Sequence, residues 1–115
     1  VKFSTEILAT IARESFFKSL VLVVIYIHGG GFTTGSNQVE FHRLVSMQNV
    51  MVVSINYRLG VYGFLYHSDD TEEYNGNWGL LDQQAAMEWT NIFAPHFGGD
   101  TSSITLTCCS AGCKA

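Results

Sequence analysis

Charge is scarce in this chain: Asp, Glu, Lys and Arg make up 14% of its 115 residues, and the balance is acidic, with a formal net charge of −4. A chain of that sign has no electrostatic footprint for nucleic acid or for an anionic membrane surface, so neither is expected as a partner. Long hydrophobic runs are missing too. The longest, residues 20–27, falls far short of the roughly 20 apolar residues that cross a bilayer, so no transmembrane segment is expected. Residues 16–27 have the apolar character of an export-signal core, but Lys18 interrupts them and the glycines that follow do not resemble a cleavage site. The chain begins at Val1 rather than Met, and its true N-terminus, with any export signal, is expected to lie outside the sequence. Cysteine is limited to Cys108, Cys109 and Cys113. Neighbouring cysteines rarely bridge each other, and no histidine stands nearby at zinc-finger spacing. The expectation is therefore free thiols in or near a strand, no metal site, and no redox compartment readable from cysteine usage. Internal repeats, low-complexity tracts and linkers are absent as well.

What is present is an apolar fraction of 47%, which suits a globular interior, in a chain long enough for one core. Residues 4–17 place Ile7, Leu8, Ile11 and Ala12 on one helical face behind Ser4 as a possible N-cap, and predict a helix. Residues 20–27 show no alternation, the mark of a strand covered on both faces in a parallel sheet. Residues 37–48 mix Val39, Leu44, Val45 and Met47 with polar residues and predict a short helix; residues 50–55, β-branched and apolar, predict a second buried strand. Strand, helix, strand is the right-handed crossover unit. Residues 57–77 carry Tyr57, Tyr62, Phe64 and Tyr66, glycines, and an acidic run at Asp69, Asp70, Glu72 and Glu73, and read as a surface excursion. The aromatic residues could pack in the core or line a pocket; the acidic run reads as a solvated face. The clearest helix covers residues 79–93, with Leu80, Leu81, Gln84, Ala85, Glu88 and Trp89 at helical spacings, and Pro95 with Gly98 and Gly99 stops it. Residues 103–108 then alternate as a third strand that runs into Ser110. Arg58 with Asp82 or Asp100 reads as an ion pair that fixes loops.

Two stretches carry the chemistry. In one, a long apolar run ends abruptly in His28-Gly29-Gly30-Gly31-Phe32; in the other, a short strand ends in Ser110-Ala111-Gly112. A serine hydroxyl that attacks a carbonyl carbon must stand clear of the sheet, and a tight turn with small flanking residues exposes it. The carbonyl oxygen becomes an anion in the tetrahedral intermediate, and preorganised N–H donors lower its energy by about 2.7–4 kcal/mol each. The candidate donors are Gly30, Gly31 and Ala111, with Ser110 as the candidate nucleophile. If the first strand lies between the second and third, as in an α/β-hydrolase, the carboxyl ends of the first and third strands are neighbours and both stretches open onto one switch point.

Six blocks, in order, carry a family resemblance: His28-Gly29-Gly30-Gly31-Phe32, Asn56-Tyr57-Arg58-Leu59-Gly60, Gly63-Phe64-Leu65, Gly76-Asn77-Trp78-Gly79-Leu80-Leu81-Asp82-Gln83, Phe97-Gly98-Gly99-Asp100 and Ser110-Ala111-Gly112. Together they resemble the type-B carboxylesterase and cholinesterase family over about residues 20–112. The resemblance implies an α/β fold that is a fragment of an α/β-hydrolase, with a mainly parallel three-stranded sheet and flanking helices. It divides the chain into a divergent N-terminal helix at residues 1–19 and, over 20–115, the N-terminal part of a carboxylesterase domain ending at the nucleophile turn. It further implies a serine esterase acting on a small-molecule carboxylic ester. Ser110 would be catalytic, the N–H groups of Gly30, Gly31 and Ala111 would form the oxyanion hole, and no cofactor or metal would be needed. Family members lean towards secretion or the endoplasmic reticulum lumen.

Three departures qualify that reading. In this fold the acid and histidine follow the serine in chain order, whereas His28, His42, His67 and His96 all precede it, so the 115 residues alone are expected to be inactive. The family pattern before the serine is Gly-Glu, whereas here it is Cys108-Cys109, and a side chain two positions before the nucleophile crowds the turn. Residues 1–19 do not match the family segment. A partial or misjoined gene product would account for all three; the alternative function is a non-catalytic, cholinesterase-like adhesion protein that keeps the fold.

Overall fold

The structure, a computed structural model, describes residues 20–66 and 76–115. The helix expected over residues 4–17 and the acidic run at Asp69, Asp70, Glu72 and Glu73 lie outside the described residues. Three parallel strands make the sheet: β1 (Val21–Ile27), β2 (Met51–Ile55) and β3 (Gly99–Cys108), in the order β2-β1-β3. The first strand is therefore central, as expected. Its residues have neighbours on both edges: Ile25 sits opposite Val53 on one side and Leu106 on the other, and Ile27 opposite Ile55 and Cys108.

Continuous apolar sequence in β1 and β2 follows from burial on two faces, since every residue of β2 is buried. On one face Val21, Val23, Ile25 and Ile27 pack with Met51, Val53, Ile55 and Tyr57 and with Ala86 and Ala94. On the other, Val24 and Val52 pack with Val45 of the helix α1 (His42–Gln48), and Tyr26 meets Phe41 edge-on at 5.0 Å. Helix α1 is shorter than the expected 37–48. Asn37 is buried and tied to the second strand's exit instead: its backbone N–H donates to Asn56 Oδ1 at 2.8 Å and its carbonyl accepts from Ser54 Oγ at 3.0 Å.

A short helix, α2 (Gly60–Phe64), stands where the sequence read as an irregular excursion, because its two glycines masked the single turn. Helix α3 (Trp78–Phe93) is the long crossover, followed by a 3₁₀ turn at Ala94–Phe97 that ends at Gly98 in left-handed backbone. Its buried stripe is Gly79, Asp82, Gln83, Ala86 and Thr90, rather than the positions of Leu81, Gln84, Ala85 and Glu88, which are exposed. Small Ala86 and Thr90 let the helix lie close to the sheet; Thr90 Oγ1 donates to the Ala86 carbonyl at 2.7 Å instead of being left unsatisfied. The strand β3 begins earlier than residue 103. Gly99 and Asp100 pair with Val21 and Leu22, the ladder then shifts, and it resumes with Ile104 opposite Val23.

Candidate active site: a glycine loop against a serine turn

Because β1 and β3 are adjacent and parallel, their carboxyl ends leave the sheet side by side. The last register pair is Ile27 with Cys108, and the next amide, Cys109 N–H, donates to the Ile27 carbonyl at 3.1 Å. Immediately beyond, Ser110 has φ 49°, left-handed backbone that a residue with a side chain enters only when its surroundings hold it there. A 3₁₀ turn follows at Ser110–Cys113, closed by Gly112 N–H to the Cys109 carbonyl at 2.9 Å. Ser110 is exposed while Ala111 and Gly112 are buried, so the turn presents one hydroxyl and hides its neighbours.

Two glycines make the contact between the stretches. A Cβ at Gly29 would lie 2.6 Å from the Cys109 carbonyl oxygen and 3.0 Å from Ser110 Cβ, and one at Gly112 would lie 2.5 Å from the Ile27 carbonyl oxygen. Backbone meets backbone there with no room for a side chain. The loop then turns through Gly30, Gly31 and Phe32, all at positive φ, with Thr33 and Thr34 N–H both donating to the Gly30 carbonyl. Those hydrogen bonds use the loop's carbonyl oxygen and leave the N–H groups of Gly30 and Gly31 free of partners among the described residues. Ala111 N–H lies in the first turn of the 3₁₀ segment, where intrahelical acceptors are lacking.

His28 and Tyr57 hold the loop from beneath. The buried His28 ring stacks on Tyr57 with centroids 4.6 Å apart, its Nδ1–H donates to the Gly29 carbonyl at 2.8 Å, and its own carbonyl accepts from Tyr57 Oη at 2.8 Å. Since a carbonyl can only accept, this network assigns the ring proton to Nδ1. Nε2 is then a buried acceptor with no hydrogen-bond partner among the described residues. Burial raises the Tyr57 phenol above its ordinary value. On the outer side, Gly60 N–H donates to the Phe32 carbonyl at 2.6 Å and the Phe32 and Phe64 rings lie 4.9 Å apart. Of the four aromatics in this region, Tyr57 is buried and Phe64 half-buried, whereas Tyr62 and Tyr66 are exposed.

Arg58 joins α3 to the same frame. Its Nε and Nη2 donate to Asp82 Oδ2 and Oδ1 at 2.7 and 2.8 Å, and its backbone N–H also reaches Oδ2 at 2.9 Å. The hydrogen bond to Asp82 raises the guanidinium above its ordinary range, against a smaller opposing effect of burial. Asp82, not Asp100, is thus the arginine's partner. Asp100 accepts from Ser102 N–H and Oγ at 2.9 and 2.6 Å, and the Ser102 hydroxyl holds its carboxyl below the usual carboxylate range.

The cysteine expectation is corrected. Cys108 and Cys113 form a disulfide, with Cα atoms 5.1 Å apart, and Cys109 alone is a free, exposed thiol. The rule against bridges between neighbours applies to Cys108 with Cys109; the 3₁₀ turn folds Cys113 back over the end of β3. The five-residue spacing across a predicted turn was the available signal. Among the described residues no group of three or more His, Cys, Asp and Glu could hold a metal, and no helix is long and apolar enough to cross a membrane.

A three-stranded parallel sheet with its serine turn packed on a glycine loop is the α/β-hydrolase arrangement, and comparison with known proteins agrees. The family model described as the carboxylesterase family matches residues 11–115, so the chain belongs to the carboxylesterase family. It is 46% identical over 91 residues to liver carboxylesterase 1F of Rattus norvegicus, covering 78% of this chain and 16% of that protein. It is 42% identical over 93 residues to para-nitrobenzyl esterase of Bacillus subtilis (strain 168), covering 78% of this chain and 19% of that protein. The solved structure of a thermophilic PNB esterase superposes with a TM-score of 0.77 at 40% identity, over 84% of this chain and 21% of the other. The chain thus spans less than a fifth of the length of these curated relatives.

Proposed function

We propose that the protein to which these residues belong is a carboxylic ester hydrolase, with Ser110 as its nucleophile and the N–H groups of Gly30, Gly31 and Ala111 as its oxyanion hole. The observation that carries this reading is the exposed Ser110 at φ 49° beside Gly29, where an added Cβ would come within 3.0 Å of the serine's Cβ. Ser110 Oγ attacks the carbonyl carbon of a small-molecule ester, its proton passes to a general base, and the alcohol leaves with a proton. Water then attacks the acyl-serine and releases the carboxylic acid. The unpartnered amides meet the oxyanion formed in both steps. No cofactor enters this chemistry.

Among the described residues no histidine is placed to act as the general base. His28 is buried and donates from Nδ1 to its own loop, and neither His42 nor His96 lies in the stretches that form the turn and the glycine loop. The 115-residue chain by itself is expected to hydrolyse esters near the background rate, since loss of triad members costs on the order of 10⁴ to 10⁶ in turnover. Sequencing the transcript across both ends and expressing the full product tests the reading. Hydrolysis of a p-nitrophenyl ester that falls by at least about 10³ in the Ser110→Ala variant supports it. Turnover indifferent to that substitution, or rapid fluorophosphonate labelling of Ser110 in the 115-residue chain, overturns the respective part.

A further inference from the structure

We propose that the Cys108–Cys113 disulfide is a redox clamp on the serine turn, opened by a dithiol or a low-molecular-weight thiol. The bridge joins the two ends of the turn itself. Cys108 is held in the sheet opposite Ile27, and Cys113 is the last residue of the 3₁₀ segment, so the ring they close contains Cys109, Ser110, Ala111 and Gly112 and little else. Ser110 occupies left-handed backbone without being glycine, a conformation that needs holding. From inside, the close approach of Gly112 to Ile27 and His28 and of Gly29 to Cys109, with the hydrogen bond from Gly112 N–H to the Cys109 carbonyl, holds it; the disulfide closes the same turn from its two ends. A short covalent ring removes most of the open conformations that such a turn would otherwise sample.

Opening the clamp is a two-electron reduction. A thiolate of the dithiol attacks one sulfur of the Cys108–Cys113 bond and displaces the other as a thiolate, which takes up a proton; the second thiol then closes the dithiol's own disulfide and releases the remaining cysteine. The products are two cysteine thiols and one oxidised dithiol. Cys109, exposed and adjacent in sequence, is the thiol that stays reduced throughout.

The experiment uses the 115-residue chain. Alkylation without reductant, followed by mass spectrometry, is expected to mark Cys109 alone, and dithiothreitol is expected to expose all three cysteines. Amide hydrogen exchange in both states then reads the clamp. Exchange of the Gly112 and Lys114 amides, which donate to the Cys109 and Ala111 carbonyls, is expected to rise by at least about tenfold on reduction while β1 and β2 stay unchanged. Cys109→Ser should keep the protected turn, and Cys113→Ser should exchange like the reduced protein; if Cys113→Ser does not fold, reduction of the unmodified chain remains the measurement. A bridge involving Cys109, three free thiols under oxidising conditions, or identical exchange in the two states overturns the proposal. These readouts do not depend on esterase activity, so failure of the clamp and failure of the proposed catalytic role are distinguishable.

Discussion

Gly29 leaves no room for a side chain beside Ser110: a Cβ on the glycine would come within 3.0 Å of the serine's own Cβ, with the Cys109 carbonyl oxygen nearer still at 2.6 Å. Both obstructing atoms belong to a turn already held by backbone hydrogen bonds, so neither can swing aside as a long side chain would. Gly29→Ala should therefore push the two stretches apart, at a cost of about 1–3 kcal/mol. Urea unfolding of the variant beside the parent reads this directly. A variant as stable as the parent would mean that the two stretches are not in contact.

The Arg58–Asp82 fork should show coupling in a double-mutant cycle. Asp82 is 7% exposed and Arg58 is 46% exposed, so the pair is screened on one side and its coupling should be about 1–2 kcal/mol, well below that of a fully buried pair. Arg58→Lys should lose most of it, because an ammonium cannot present two parallel N–H groups to one carboxylate. Coupling near zero in chemical denaturation of the four proteins would remove the fork as a loop-fixing device.

Tyr57→Phe keeps the ring stacked on His28 and deletes the hydroxyl that satisfies the His28 carbonyl. The expected loss is about 1–2 kcal/mol at neutral pH. The pH dependence has a definite sign. Burial raises the phenol's folded value above its unfolded one, so its contribution is complete below the unfolded value of about 10 and is lost as pH rises through the folded value. The parent's stability should fall through that alkaline window, and the phenylalanine variant should fall less steeply.

Asp100 behaves in the opposite sense. Its folded value is lowered by Ser102, so the stabilisation is present above the unfolded value of about 3.9 and fades as pH drops through the folded one. Ser102→Ala removes the larger of the two causes and keeps the backbone N–H donor, so the carboxyl should move part of the way back to the ordinary range, seen as an upward move of the Asp100 carboxyl titration in NMR. An unmoved midpoint would show that the hydroxyl plays no part.

The strands and the long crossover helix were legible because burial on two faces leaves an unbroken apolar run, and because residues 79–93 combine good helix formers with a Pro and Gly stop. The central place of the first strand came through the α/β-hydrolase pattern rather than from any property of residues 20–27 themselves. What escaped is instructive. Gly60 and Gly63 read as punctuation yet sit inside α2, and the buried stripe of α3 runs through Asp82, Gln83 and Thr90, which no count of apolar residues would select. Asp82 is buried because Arg58 meets it; the ion pair was legible with Asp82 or Asp100 as its acid, and the structure pairs Arg58 with Asp82. The Cys108–Cys113 bridge escaped because its two sulfurs are brought together by a turn whose shape depends on the glycine loop far upstream.

On β3, residues 101–103 have no opposites on β1, the ladder passing from Asp100 straight to Ile104. That stretch works as slack in the chain. A residue gained or lost within it can be absorbed before pairing resumes, leaving the stretch from Ile104 to the serine where it was. A single deletion between residues 104 and 108 has no such reservoir and would invert which side chains face the interior all the way to the turn. Length variation should accordingly be tolerated in the first stretch and destructive in the second, although the two are only a few positions apart.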